Sequence, residues 1–525
     1  MCVSIEDINI QYLLRILRNR YLLFFVGILL IILFSRTWKI DQNIADKSQG
    51  YFVHKNIEQA NEAGRLGYIK FEVNDYAQVF GTKWTWKPGI HRMRIIRSGP
   101  EDFDDIGYIS LLQLIAIAGK KITITFVEKL HNSAFIISAL ILSFIIAIFL
   151  KNIFAGWIFL ILALILKSKI LSLVYGSPDS RTFVIFFPLV VMSIIFGLNW
   201  LNTSLGKFWT LMLVLLFGLL IGGMVLIRRS EGMSALLAIL FCIVFLRNRI
   251  RQKAVTIIFL MTGYFLITMI LPITFALHRD IKTGDFNGDM TPYIQTTGKH
   301  QAWHSVVLGI GKYPNSIGMK YSDVAVYDIL RSKYPDAMDT VYNFHGKGYY
   351  KALQSIYFEY IINHPIEYST NIAKAYTELF YFIPYSVSVG NLTLWQYGYL
   401  PKKAGVSADD WDFAFQYPNN LINLKYRYLR LNFMEWGTFI IAVLIIIFAV
   451  RASLFNMTDL NSKNIFLPIL FYVFLSATQR AIIPQHGFSF MVGFWILSII
   501  SLLYISFNNS MIKGFLYWRL KIFSI

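Results

Sequence analysis

Long apolar runs alternate with short basic stretches along most of this chain. The runs lie near Tyr21–Phe34, Ala134–Leu150, Ile153–Leu166, Phe183–Trp200, Phe208–Ile227, Ser234–Leu246, Ala254–Leu277, Trp436–Val450, Ile465–Leu475 and Phe488–Phe507. Several approach the length of a bilayer-crossing helix, and together they predict about ten crossings. Two mixed, polar stretches interrupt the rhythm, Ser35 to His131 and His278 to about Glu435. The pattern predicts an all-α polytopic membrane protein, because only self-satisfied helices or closed barrels tolerate lipid.

The polar stretches carry helices of their own. In the first, Ser98 to Gly119 reads as one helix: Ser98 and Glu101 have capping-box spacing, Pro100 suits a first turn, and Gly119 can close the other end. Glu101, Asp104, Asp105 and Tyr108 fall on one face of it. With apolar flanks, such a helix suits a membrane surface, its acids toward water; acids in a first turn are also favoured by the helix dipole. In the second stretch, Tyr349–Asn363 has apolar residues at helical spacing and ends at His364-Pro365, and Glu367–Phe380 predicts another helix. Aromatic residues are frequent, among them Trp84, Trp86, Trp303, Trp395 and Trp411. They suit sugar faces, a core and a membrane interface alike.

Composition sharpens this picture. Hydrophobic residues make up 56% of the chain and charged residues 15%, too few charges for a soluble protein of this length. The net charge of +19 falls beside the apolar runs, which indicates anchoring to anionic membrane lipids and not nucleic-acid binding. Cys2 and Cys242 give no disulfide framework and no cysteine metal site. Arg15, Arg18 and Arg20 before the first run, with no small-residue cleavage site after it, predict an uncleaved first span and a cytoplasmic N-terminus.

Threading from that start puts Lys151, Lys207, Arg247 to Lys253, Arg451, Lys463 and the Lys513, Arg519 and Lys521 tail inside, and both polar stretches outside. Lys167 and Lys169 are the discordant pair; a third span running past them would invert the sidedness of all later segments. This layout divides the chain into a cytoplasmic N-terminus (1–20), a first span (21–34), an extracytoplasmic loop with the acidic helix (35–131), spans two to seven (134–277), an extracytoplasmic helical region (278–435), the last three spans (436–507) and a cytoplasmic tail (508–525). Isoleucine, lysine, asparagine and phenylalanine usage hints at an AT-rich bacterial genome, hence an inner-membrane location.

Four short charged groups then share the outer side with the acidic helix: Asp179 with Arg181; Arg228 and Arg229 with Glu231; Arg480; and His486. Outward arginines near lipid oppose the orientation bias and imply an anionic ligand such as a lipid phosphate. The competing explanations are snorkelling and a local Asp179–Arg181 pair. Metal patterns are weak. Asp285, Asn287 and Asp289 alternate as in a calcium loop, but Met290 and Thr296 stand where the turn glycine and closing glutamate belong. His300 and His304 have helical metal-pinching spacing without the zinc-protease glutamate. No metal ligand is assigned and no cofactor is required, though a divalent metal stays compatible.

Asp104-Asp-Ile-Gly-Tyr108, set in a long outer loop after the first span, resembles the acidic-pair-plus-tyrosine signature of the GT-C superfamily of integral-membrane glycosyltransferases, which includes lipid A aminoarabinose transferases and protein O-mannosyltransferases. The acid lies further from the first span than is usual there, and Asp75 is a rival. The resemblance implies transfer of a sugar from a polyprenyl-phosphate donor to an extracytoplasmic glycan, lipid or protein acceptor, with inversion. Asp104 or Asp105 would be the base, and Arg228, Arg229, Arg480 and His486 would hold the departing phosphate. Tyr108, Glu231, Asp179, Arg181 and His304 would support them. Two alternatives stay open. An O-antigen ligase or polymerase would rely on His304, Arg480 and His486. A transporter or lipid flippase would need midplane polar groups and repeated halves, and neither is evident in the sequence.

Overall fold

The computed structural model describes residues 50–69, 78–80, 83–85, 106–174, 183–201, 208–246, 249–284, 286, 288, 302–320, 323–335, 349–388, 433–455, 460–482 and 488–507. It is mostly helical. After α1 (Gly50–Leu66), a short antiparallel hairpin pairs β1 (Gln78–Phe80) with β2 (Lys83–Thr85). Then come α2 (Ile106–Ile117), α3 (Ile124–Phe149), α4 (Ile153–Val174), α5 (Phe187–Leu201), α6 (Phe208–Ile227) and α7 (Arg229–Phe245). Next, α8 (Ile250–Phe265) passes through a π turn (Leu266–Ile270) into α9 (Leu271–Thr283). The polar stretch supplies α10 (Ala302–Ile310), α11 (Asp323–Lys333), α12 (Tyr349–Asn363) and α13 (Pro365–Ser388), and the chain closes with α14 (Phe433–Phe455), α15 (Leu460–Ile482) and α16 (Phe488–Phe507).

Among the described residues, four helical segments are long and apolar enough to cross a membrane: Ile124–Phe149, Phe208–Ile227, Ile250–Thr283 and Asn464–Ile482. This fits a membrane protein. Helices occupy the predicted positions of the other spans too, except the first, which lies outside the described residues. On α3, Ile137, Ile141 and Phe144 form an exposed apolar stripe at helical spacing, while Ala139, Leu142 and Ile146 are buried opposite. A helix apolar on both its buried and its open face suits lipid better than water.

The helix ends sort into two groups at opposite ends of the bundle. At one end Phe149 lies 5.1 Å from Phe196 and 6.3 Å from Tyr504, ring to ring, and Phe466 packs on Tyr504 at 5.1 Å. There the Asn199 amide donates to the Ile195 and Asn464 carbonyls, both at 2.9 Å, tying α5 to α15. At the other end the Tyr108, His131 and Phe183 rings cluster, and the last turn of α6 meets the first turn of α7. Lys151 belongs to the first end. It closes α3 in the left-handed region (φ 52), with Asn152 N–H on Ala147 and the Asn152 side chain capping α4.

α4 does continue past Lys167 and Lys169, to Val174. The alternation survives, because Phe183 returns to His131 at the start of α3. The two lysines are absorbed into the helix rather than forming an outer loop, and Lys167 is buried.

Glycines set the closest approaches. A Cβ on Gly218 would sit 2.1 Å from the Leu260 carbonyl, and one on Gly263 would sit 2.3 Å from that of Leu215. One on Gly222 would meet the Tyr264 carbonyl at 2.9 Å. Contacts that advance together along both chains mean α6 and α8 run parallel, backbone against backbone, on a Gly-x-x-x-Gly seam.

α10, α11 and α12 enclose their own core of Val307, Leu308, Val326, Leu330, Leu353 and Ile356. α12 has its predicted limits, and α13 starts at Pro365, a residue suited to a first turn. α13 then lies against α15, with Tyr376 hydroxyl bonded to Thr478 at 2.5 Å.

Candidate functional site

The site is built around a chain reversal. α6 ends at Ile227 and α7 begins at Arg229, so Arg228 alone links them, in extended backbone (φ −152, ψ 98). Its N–H caps Met224 and its carbonyl accepts from Gly232, both at 2.9 Å. The return is this tight because Gly232 has no side chain: a Cβ there would lie 2.4 Å from the Val225 nitrogen. The sequence predicts a loop from Arg228 to Glu231 with the helix starting at Ser234; instead Arg229, Ser230 and Glu231 form the first turn of α7. Glycine at 232 permits this, and the carboxylate in the first turn favours it.

Arg228 is buried and Glu231 fully so. Glu231 accepts a hydrogen bond from the Ser489 hydroxyl at the start of α16. Ser476 lies 3.5 Å from Ser489, and the buried Tyr472 ring stands beside the same group on α15. Gln479 donates to the Ser230 carbonyl, so the turn of α15 that carries Arg480 is fastened directly to the first turn of α7. Arg228, Arg229 and Glu231 therefore share one end of the bundle with Arg480, which is distant in sequence.

α2 approaches the same place. A Cβ on Gly107 would lie 2.6 Å from the Leu226 carbonyl carbon and 2.7 Å from the Ile227 nitrogen, so α2 begins in backbone contact with the end of α6. The next residue, Tyr108, is 2% exposed. Its hydroxyl lies 2.8 Å from His131 Nε2, and its ring packs 5.3 Å from Phe183, in a cluster bordered by Ile227. Tyr108, which the spacing puts on the same face as Glu101, Asp104 and Asp105, turns its ring inward, because His131 and Phe183 offer it an enclosed partner and an aromatic wall. Gly119 (φ 90) ends α2 as expected, with Lys120 N–H on Ile115 and its own N–H on Ala116.

α1, which the hydrophobic pattern does not reveal, braces this arrangement. Asn61 grips Ile122 through both its amide groups at 2.9 Å, and Gly64 lies against Ala116, where a Cβ would be 2.9 Å from the carbonyl oxygen.

The remaining predicted residues divide plainly. Asp104, Asp105, Asp75, Asp179, Arg181 and His486 lie outside the described residues, as do His300, Asp285, Asn287 and Asp289. His304 is buried in the helical domain, its ring 5.4 Å from that of Tyr327. Among the described residues, no three histidine, cysteine, aspartate or glutamate side chains gather to hold a metal. Sequence reasoning missed His131, Ser476, Ser489, Tyr472 and Gln479. Their signal was visible as polar residues near the ends of apolar runs. The chain matches no family model, no curated protein and no solved structure.

Proposed function

We propose that the protein is an inverting integral-membrane glycosyltransferase of the GT-C type, moving a sugar from a polyprenyl-phosphate donor to a glycan, lipid or protein acceptor at the Arg228 end of the bundle. One observation carries the reading: the helix that Asp104 and Asp105 immediately precede in sequence begins in contact with the helix end that Arg228 immediately follows. The guanidinium groups offered for the phosphate thus adjoin the helix that the proposed base residues precede in sequence.

The chemistry has a simple division of labour. One of Asp104 and Asp105 removes the acceptor proton as its oxygen attacks the anomeric carbon. The bond to the donor phosphate breaks, and the phosphate leaves with the bonding electron pair. Arg228, Arg229 and Arg480, with His486, neutralise the charge that grows on it. A direct displacement inverts the anomeric centre. Glu231 and the serine hydroxyls that surround it fix the turn carrying the arginines, and Tyr108 with His131 fixes the start of α2. The reading places this end on the extracytoplasmic side of a bacterial inner membrane, with Lys151 and Arg451 opposite.

The test uses purified protein in lipid nanodiscs and a radiolabelled polyprenyl-phosphate sugar. Asp104→Asn or Asp105→Asn is expected to reduce transfer at least ~100-fold while donor binding persists, the scale of a lost general base, and Arg228→Gln is expected to weaken donor binding. Full transfer by both asparagine variants would remove the base. A diphosphate-linked oligosaccharide as the only productive donor would favour the ligase-type reading, and lipid flux with no covalent product the transporter reading.

A further inference from the structure

The seam between α3 and α4 brings together polar side chains that neither the fold nor the transfer chemistry uses. The Ser143 hydroxyl donates to the Gly156 carbonyl at 2.7 Å, and a Cβ on Gly156 would lie 2.7 Å from the Ser143 carbonyl, which fixes the register of this antiparallel pair. Eleven residues onward from Gly156 stands Lys167, and eleven residues back from Ser143 stands Asn132. Eleven residues are about three helical turns, so both positions return to the seam and oppose each other across it. Each is 8% exposed, so the pair is buried but, unlike Glu231, not sealed. Glu128 precedes Asn132 by four residues, on the same face of α3 and one turn further out, and is half-buried.

The group lies level with the Arg228 corner. His131, beside Asn132, is 2.8 Å from the Tyr108 hydroxyl, and Tyr108 follows the Gly107 that meets Ile227. α6, 20 apolar residues long, ends there, so this is the edge of the hydrocarbon layer, where lipid headgroups begin. Charged side chains at such a depth are costly unless matched, and mark ligand contacts.

The three side chains ask for different partners. Asn132 Oδ1 has no hydrogen-bond partner among the described residues, and none of those residues bonds to the Glu128 carboxylate. Both oxygens call for N–H or O–H donors, whereas the Lys167 ammonium can only donate and calls for an oxyanion. A simple phosphate answers Lys167 but is repelled by Glu128. A choline headgroup has no N–H to give. A phosphate ester that also carries a primary amine answers all three: its phosphate oxygen accepts from Lys167, and its ammonium donates to Asn132 Oδ1 and Glu128.

We propose that Glu128, Asn132 and Lys167 bind the headgroup of a phospholipid bearing a phosphate and a primary amine. The site stands independently of the glycosyl-transfer reading.

The experiment is native mass spectrometry of the full chain in detergent, titrated with phosphatidylethanolamine, phosphatidylglycerol and phosphatidylcholine of one acyl composition, alongside thermal unfolding. The first ethanolamine lipid is expected to bind about tenfold more tightly than the choline lipid, the scale of a charged hydrogen bond. Lys167→Met is expected to erase that preference. Glu128→Gln, a polar exchange at a half-buried position, is expected to reduce the ethanolamine lipid to the level of the glycerol lipid, and it decides the matter if the methionine variant does not fold. Equal affinity for the three lipids, or a preference untouched by Glu128→Gln, overturns the site. Equal loss of thermal stability in both variants with the lipid preference intact also overturns it, because Lys167 and Glu128 would then be an internal ion pair.

Discussion

Replacing Gly107 with alanine is the sharpest perturbation of the arrangement around Arg228. The added methyl would lie 2.6 Å from the Leu226 carbonyl carbon and Cβ, and 2.7 Å from the Ile227 nitrogen. Two of these three atoms are backbone, so no rotamer change relieves the contact. Non-bonded carbons rest about 3.5–4.0 Å apart, so α2 must retreat by about 1 Å. Overpacking of this kind costs about 1–3 kcal/mol. The Tyr108–His131 bond, 2.8 Å long, would stretch beyond hydrogen-bonding distance, adding about 1 kcal/mol. Stability should therefore fall by about 2–4 kcal/mol, as the sum of these two effects. Under the proposed glycosyl transfer, activity should suffer more, because a reacting group displaced by about 1 Å can lose about 100-fold in rate. The assay pairs thermal unfolding in detergent with transfer in nanodiscs. Tyr108→Phe serves as the comparison, since it removes the bond without moving the helix; it should lose stability modestly and transfer less. If Gly107→Ala unfolds and reacts as the parent does, α2 does not begin against α6 and the convergence fails with it.

Other consequences are equally direct. Ser489→Ala should destabilise the protein by about 1–3 kcal/mol, since it strips a hydroxyl donor from the fully buried Glu231; thermal unfolding unchanged from the parent would show that the carboxylate does not depend on that serine. Gly218→Ala should abolish folded protein in size-exclusion chromatography, because its methyl would fall 2.1 Å from the Leu260 carbonyl, whereas Gly223→Ala, with open space at its Cβ, should leave the profile intact. The Glu367 carboxyl is pushed up by burial, but hydrogen bonds from Tyr360 and Ser316 outweigh this and hold it below its ordinary 4.5. A lowered folded value means the contribution is complete above about pH 4.5 and fades as pH falls through the lower value. Protection of the Ser316 amide, corrected for intrinsic exchange, should drop in that acid window, and Glu367→Gln should remove the drop. Protection that rises with acid would contradict the sign.

Much of this architecture could be read along the chain. Apolar runs locate the bundle helices, because a span must be apolar whatever its neighbours. Gly119 and His364-Pro365 mark ends correctly, since caps are local chemistry. What escaped was contact between distant segments. Nothing near Gly107 or Gly232 announces that another backbone passes within van der Waals distance, and α1 carries no run to mark it, although Asn61 holds Ile122. The charged group at Arg228 was visible as an anomaly of sign and side. Its conversion from loop to helix was not, because that depends on α6 leaving room only for a glycine at 232.

The single-residue reversal at Arg228 also fixes the phase of everything downstream. Each residue added to a helix rotates the remainder of that helix by about 100°. One inserted amino acid would swing Glu231 off Ser489 and carry the Ser230 carbonyl away from Gln479 together. This corner can exchange side chains singly, but it has no slack in length: the register of α7 against α15 and α16 is counted from one peptide unit.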